Sequence, residues 1–168
     1  MTRYPRKHKS LAINGIAIIG FAKEVPFKNK LIALTIGALL AIKGYNVTAG
    51  NIKGTFSYAF WSAKIFGAKT LAVIDKGIDK KPAYIDSYIY IPSMIAKHQQ
   101  VTLVSSAAII IGGGGRSLHL AQEFIKQGKP IIAIKNTHGI VENEVKLLGI
   151  RTCSIFSALH YILLKTSY

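Results

Sequence analysis

The sequence has one cysteine, Cys153, and only seven acidic residues in 168. A single cysteine cannot form an internal disulfide, which excludes the class of small disulfide-stabilised domains and favours a reducing, cytoplasmic compartment. The five histidines are scattered, and neither they nor the cysteine show the spacing of zinc ligands. We therefore predict neither a metal site nor a cofactor.

Long hydrophobic runs are also absent. The longest uncharged apolar run in the middle of the chain, 31–42, has twelve residues, whereas a membrane-spanning helix needs about 20. Basic residues 1–10 followed by the apolar stretch 11–22 imitate a signal peptide, but no suitable cleavage site follows. We interpret 1–10 as a basic N-terminal tail and 11–168 as a single domain, and we predict no membrane association.

The scarcity of acidic residues leaves a strong positive charge. Twenty-two Lys and Arg against seven Asp and Glu give +15, which favours attraction to nucleic acid or to phosphorylated ligands. A solubility device or a compositional bias of the source is the alternative. Only residues 3–9 form a basic cluster, and no basic motif is interleaved with aromatics as in single-strand binders. Nucleic acid therefore stays an alternative partner.

Strand-like and helix-like patterns alternate along the chain. This order predicts an α/β fold, with a doubly wound, mostly parallel Rossmann-like sheet and helices on both faces. The predicted strands are 15–20, 45–49, 69–74, 88–91, 107–111, 131–134 and an edge strand at 149–153. The predicted helices are 29–43, 55–66, 92–105, one that Ser117 opens, 141–148 and 154–165.

Four consecutive glycines follow the buried strand at 107–111. A strand that passes through glycines into a helix leaves backbone N–H groups without acceptors, and these amides with the helix dipole bind anions such as phosphate. A tight turn without a ligand is the alternative, but four glycines exceed what a turn requires. The predicted phosphate-binding residues are Gly112, Gly113, Gly114, Gly115, Arg116, which adds charge, and Ser117.

Other candidate residues lie where predicted strands end. Ligands of doubly wound sheets bind beyond the carboxyl ends of the strands, and Gly20, Gly50 and Gly54 are predicted to shape the walls of such a site. Asp75 ends the third strand, where its carboxylate can accept hydrogen bonds from a ribose or a base, with a loop cap as the alternative. His98 is predicted to line the same pocket.

Several segments, in their order and spacing, resemble the lysine-decarboxylase-like, or Lonely-guy (LOG), proteins of the SLOG superfamily. The resemblance covers about residues 13–165 and implies a Rossmann-like nucleotide binder that forms homo-oligomers. A more distant similarity, to the DNA-processing protein A (Smf) family, involves residues 67–84 and the Arg116-Ser117 pair. The segments that carry the LOG resemblance are 17–20, 44–50, 67–73, 97–106, the glycine run and 128–134.

The loop departs from the family pattern where the chemistry resides. Family members that cleave nucleoside 5′-monophosphates carry Pro-Gly-Gly-x-Gly-Thr-x-x-Glu, whereas this sequence has Arg116 for the third glycine, Ser117 for the threonine and Leu120 for the glutamate. The family's helix arginine falls at Lys97 or His98. The resemblance therefore implies a nucleotide- or phosphate-ligand-binding protein without phosphoribohydrolase activity, because the motif glutamate is absent.

Two alternatives of a different kind stay open. One is a nucleic-acid-binding protein related to the DNA-processing family. The other is a divergent nucleoside 5′-monophosphate phosphoribohydrolase in which His119 or Glu123 takes the acid/base role. The simpler interpretation is a polar residue that lines a ligand pocket or an interface for His119, and a surface carboxylate for Glu123. Aromatic residues in 56–61 and the apolar helix 92–105 favour a homodimer or a larger homo-oligomer.

Overall fold

A computed structural model describes residues 15–139 and 141–167, and in this part of the chain seven parallel strands form one sheet in the order β4-β3-β2-β1-β5-β6-β7. The strands are β1 (Gly15–Gly20), β2 (Asn46–Ala49), β3 (Thr70–Ile74), β4 (Ser87–Tyr90), β5 (Ala107–Ile111), β6 (Ile131–Ile134) and β7 (Thr152–Cys153). The helices are α1 (Phe27–Ile42), α2 (Thr55–Ile65), α3 (Met94–Leu103), α4 (Gly115–Lys126), α5 (Val141–Leu147) and α6 (Ile155–Thr166). The basic tail predicted at 1–10 lies outside the described residues.

Helices cover both faces of the sheet, because side chains of a strand alternate between its faces. In β1, Ile16 and Ile18 belong to the core under α1, α2 and α6. Ala17 and Ile19 belong to the second core, under α3, α4 and α5. The central strands are therefore apolar throughout, as expected for a parallel sheet buried on both sides. The predicted doubly wound Rossmann-like fold is confirmed, and every strand pair is parallel.

Four helices begin at other residues than the sequence predicts. Helix α1 begins at Phe27 rather than Asn29, α3 at Met94 rather than Pro92, and α6 at Ile155 rather than Ser154. Helix α2 begins at Thr55, as predicted, with Gly54 as its N-cap. Helix α4 begins at Gly115, two residues before the predicted Ser117, because the backbone is extended up to Gly114. No helix within the described residues is long and apolar enough to cross a membrane.

The strand order reverses between β1 and β5. From β1 the chain builds β2, β3 and β4 on one side, then returns to pair β5 with the other edge of β1. The segment after β1 leads to α1 on one face, and the segment after β5 leads to α4 on the opposite face. A crevice opens at the carboxyl ends of strands where connections diverge in this way.

Hydrogen bonds tie the connecting loops together at this edge. The amide of Thr55 donates to the carbonyl oxygen of Phe21 at 2.8 Å, and the amide of Phe21 donates to the Thr55 hydroxyl at 3.1 Å. This close approach requires glycine at position 54, where φ is +73° and a Cβ would lie 2.1 Å from the Phe21 carbonyl oxygen. The loops after β1 and β2 are thus fixed against each other.

Replacement of Gly54 by alanine tests this contact. We expect Gly54→Ala to lower the free energy of unfolding by about 2–4 kcal/mol, since both φ and the backbone clash oppose a side chain. Gly67→Ala is the matched control: φ is +88°, but no atom lies within 4 Å of the added Cβ, so the loss is about 1–2 kcal/mol. Urea unfolding followed by circular dichroism measures both, and equal losses would contradict the assigned contact.

Candidate functional site

A cleft opens at the carboxyl ends of β1, β2 and β3, between the starts of α3 and α4. We call it the switch-point cleft. The cavity volume is about 70 Å³ in the inner lobe and about 440 Å³ in the outer lobe. The outer lobe alone lies within the size range of small-molecule sites. Both lobes are lined by Ala22, Gly50, Asn51, Lys97 and Arg116.

The inner lobe is mainly apolar. Its walls come from a central strand and from three helices, so the side chains are held by core packing. Among its lining residues, His98 adds a polar ring and Ser117 a hydroxyl. A lobe of this composition suits the planar or apolar part of a ligand. Its apolar side chains are Ile19, Ala22, Phe56, Met94 and Leu120.

The outer lobe is strongly basic. Its only carboxylate among the described residues that line it is Asp75, and this carboxylate is paired with a lysine. Several positive side chains around one concave surface attract anions and raise their local concentration. The cationic residues of the lobe are Lys23, Lys53, Lys76, Lys97 and Arg116.

Lys97 lies between the two lobes and is 6% exposed. Its Nζ is 3.2 Å from Oδ2 of Asp75, which ends β3 and is partly exposed. Burial alone would raise the pKa of Asp75, but the hydrogen bond and the charge of Lys97 outweigh it, so this pKa lies below its ordinary value. The Asp75 carboxylate is therefore ionised at neutral pH. An ammonium has three donors, so Lys97 can also donate to a bound anion.

The start of α4 lies at the edge of the same cleft, where Arg116 lines both lobes and Gly115 lines neither. The amide of Ser117 donates to the carbonyl oxygen of Gly114 at 2.9 Å, and its hydroxyl donates to the carbonyl oxygen of Gly20 at 3.2 Å. Both donors of Ser117 are therefore used within the protein. Among the described residues, the amides of Gly115 and Arg116 donate to no acceptor. Unpaired amides at the positive end of a helix are able to bind an anion.

The four glycines divide into two pairs. Gly112 and Gly113 are buried with φ of +69° and +122°. A Cβ would lie 2.3 Å from the carbonyl oxygen of His138 in the first case and 2.2 Å from Oγ of Ser117 in the second. Packing therefore requires this pair. Around Gly114 and Gly115 no atom lies within 4 Å of an added Cβ, so this second pair borders open space.

His98 lies close enough to His119 and Glu123 to be influenced by both electrostatically. Burial lowers the pKa of His98 below its ordinary value, and the positive charges of Lys97 and His119 lower it further, while Asp75 and Glu123 act in the opposite direction. His98 lines the inner lobe, whereas His119 and Glu123 line neither lobe. Glu123 instead accepts a hydrogen bond from a neighbouring glutamine at 3.1 Å.

The sequence did not single out several residues of the cleft. Asn51 and Lys76 directly follow the candidates Gly50 and Asp75, and their positions after strand ends are a signal that could have found them. Met94 and Phe56 carry no such signal, because only the packing of α3 and α2 turns them inward. Gly54 lines neither lobe but supports the loop after β2. The described residues contain no group of three or more metal-ligating side chains.

Comparisons with known proteins identify the fold. No protein-family model matches the sequence, and no curated protein sequence matches it significantly. The molybdenum cofactor binding protein from Rippkaea orientalis is 20% identical, with 91% of this chain and 97% of that chain covered and a TM-score of 0.78. The molybdenum cofactor carrier protein from Chlamydomonas reinhardtii is also 20% identical, with 93% and 99% covered and a TM-score of 0.79.

DNA processing protein A from Helicobacter pylori is a third similar structure. It is 20% identical, 90% of this chain and 81% of that chain are covered, and the TM-score is 0.71. The chain has the Rossmann-like fold of these structures, as the resemblance to the SLOG superfamily implied. The expected resemblance to that superfamily and to the DNA-processing proteins is thus confirmed at the level of the fold, and identities this low carry no more than the fold.

The titration of His98 reports whether an anion occupies the cleft. We expect sulfate, at matched ionic strength, to raise the pKa of His98, because an anion beside the inner lobe stabilises the imidazolium form. NMR titration of the histidine ring resonances with sodium sulfate against sodium chloride measures the shift. His160, on the distant helix α6, is the internal control, and its resonances should not respond. A His98 titration that is the same in both salts would contradict an anion site here.

Proposed function

We propose that this protein binds a phosphate-bearing small molecule of nucleotide type in the switch-point cleft. The observation that carries the proposal is the start of α4. The amides of Gly115 and Arg116 have no acceptor there, and Arg116 lines both lobes of a cleft whose charged side chains are mainly cationic. The phosphate lies against these amides and the Arg116 guanidinium, and the organic part of the ligand occupies the inner lobe.

The donors of this site differ in strength. Backbone amides at a helix start are already oriented, so they bind an anion without loss of side-chain freedom. The Arg116 guanidinium adds a charge-assisted hydrogen bond that can be bidentate. The molybdenum cofactor binding and carrier proteins with a similar fold support a small molecule as the ligand class.

Binding without hydrolysis is part of the proposal. Leu120, 5% exposed, lines the inner lobe at the position where the LOG resemblance would place a glutamate. The two other candidates for acid/base catalysis, His119 and Glu123, line neither lobe. The inner lobe thus has no carboxylate in its lining to act on a glycosidic C–N bond, and the one carboxylate that lines the outer lobe, Asp75, is paired with Lys97. Release of free adenine from AMP by the purified protein would contradict this part.

A homodimer in the cytoplasm completes the proposal. Large apolar side chains are exposed on α1 and α2, which pack side by side, and such surfaces favour self-association. They include Phe27, Leu31, Trp61 and Ile65. The cytoplasmic location is supported by Cys153, which is buried and unpaired and whose thiol pKa is raised by burial.

Removal of the Arg116 side chain tests the proposed phosphate contact. We expect Arg116→Ala to weaken the binding of AMP about tenfold, the loss typical of one hydrogen bond to a charged group. Isothermal titration calorimetry measures the affinity. Arg151→Ala is the matched control, because Arg151 is also exposed but lines neither lobe of the cleft. Equal affinities of Arg116→Ala and the wild-type protein would contradict the assignment.

Single-stranded nucleic acid is the second candidate ligand. It is favoured by the +15 charge, by the basic outer lobe, and by the single-stranded DNA binding of Helicobacter pylori DNA processing protein A. The affinity of such a ligand falls steeply with salt, because each neutralised phosphate releases counterions. A small monophosphate in the same cleft depends far less on salt.

The salt dependence of oligonucleotide binding distinguishes contacts with the lysines of the outer lobe from attraction by the overall charge of the protein. If the outer lobe binds single strands, Lys53→Gln with Lys76→Gln reduces the log–log salt slope for a single-stranded oligonucleotide by about 1.4. Lys126→Gln with Lys165→Gln removes the same charge from exposed positions outside the cleft and leaves the slope unchanged. Fluorescence anisotropy measures both. A flat salt response of the wild-type protein, or equal slopes for the two double variants, would contradict binding in this lobe.

A further inference from the structure

Asp75 is the cleft residue whose chemistry phosphate binding does not use. It is the only carboxylate among the described residues that line the outer lobe, and the five cations of that lobe surround it. A negative charge there opposes an anionic ligand. The carboxylate neutralises the almost buried Lys97, and it keeps further acceptor positions that a phosphate cannot use.

The carboxylate is held in a fixed position. Oδ2 accepts from Nζ of Lys97 at 3.2 Å, and this lysine is almost completely buried between the lobes. An ionised carboxylate is an acceptor with about four lone-pair sites, of which Lys97 takes one. Asp75 is itself partly exposed. It therefore presents oriented acceptors, and no donors, to a molecule in the outer lobe.

The carboxylate and Arg116 border the same space. Both residues line the outer lobe, whose volume of about 440 Å³ is large enough for a sugar phosphate. A phosphate held by Arg116 therefore leaves the sugar of the same ligand within the lobe that Asp75 lines. Sugar hydroxyl groups are donors that an ionised carboxylate can accept.

We propose that Asp75 selects ligands with a free sugar hydroxyl, so that the cleft binds ribonucleotides in preference to their deoxy counterparts. This inference rests on the proposed phosphate site, and it adds the second recognition point of that site. Lys97 acts as the positioning residue that keeps the carboxylate oriented. The lowered pKa of Asp75 agrees with a carboxylate that accepts hydrogen bonds at neutral pH.

The test compares AMP with 2′-deoxy-AMP and 3′-deoxy-AMP by calorimetry, on the wild-type protein and on Asp75→Asn. We expect the wild-type protein to bind AMP about tenfold more tightly than at least one deoxy ligand, since a hydrogen bond to a charged acceptor is lost. In Asp75→Asn this ratio falls towards one. The three ligands carry equal charge, so the ratio is unaffected by the change in repulsion. Asparagine also keeps an acceptor for Lys97.

Asp79→Asn is the matched control. Asp79 is an exposed carboxylate four residues further along the same segment, and it does not line the cleft, so this variant keeps the wild-type ratio. A wild-type protein that binds all three ligands equally overturns the inference and leaves the phosphate site standing. So does an Asp75→Asn variant that binds all three more tightly by the same factor, because Asp75 then acts only by repulsion. A protein that binds none of them overturns the proposed function as well.

Discussion

The hydrogen bond from the Ser117 hydroxyl to the carbonyl oxygen of Gly20 joins segments 97 residues apart in the sequence. It fixes the first turn of α4 against the end of β1, at the point where the strand order reverses. Glycine at position 113 makes the contact sterically possible, since a Cβ there would overlap the Ser117 side chain. The position of the unpaired α4 amides depends on this contact, because it holds the start of the helix against β1.

The electrostatics of the cleft follow from the same arrangement. A helix start, several lysines and one arginine converge on one concave surface, within a protein whose net charge is +15. Such convergence is unfavourable in the absence of an anion, because like charges repel and because Lys97 is almost buried. The Asp75 carboxylate partly compensates it from inside the fold. A bound phosphate compensates this positive charge further, so the electrostatics of the cleft favour anionic ligands.

Much of the fold could be predicted from the sequence, because parallel strands buried on both faces appear as short apolar runs and glycines mark the ends of elements. The different roles of the four glycines could not be predicted from the sequence. Only tertiary contacts show that Gly112 and Gly113 are required for packing, while Gly114 and Gly115 face open space. The sequence likewise left Lys97 and His98 as alternative counterparts of the family's helix arginine. In the structure, Lys97 forms the ion pair with Asp75 and lines both lobes, whereas His98 lines only the inner one.

The backbone amides of Gly115 and Arg116 give the most direct test of the account. Their N–H chemical shifts can be followed by NMR while AMP is added to the full-length protein. Hydrogen bonds to a phosphate move amide protons downfield, so the account predicts that these two resonances shift downfield and saturate together with the binding curve. Resonances of Gly115 and Arg116 that stay in place while AMP binds elsewhere, or while it does not bind at all, would contradict it.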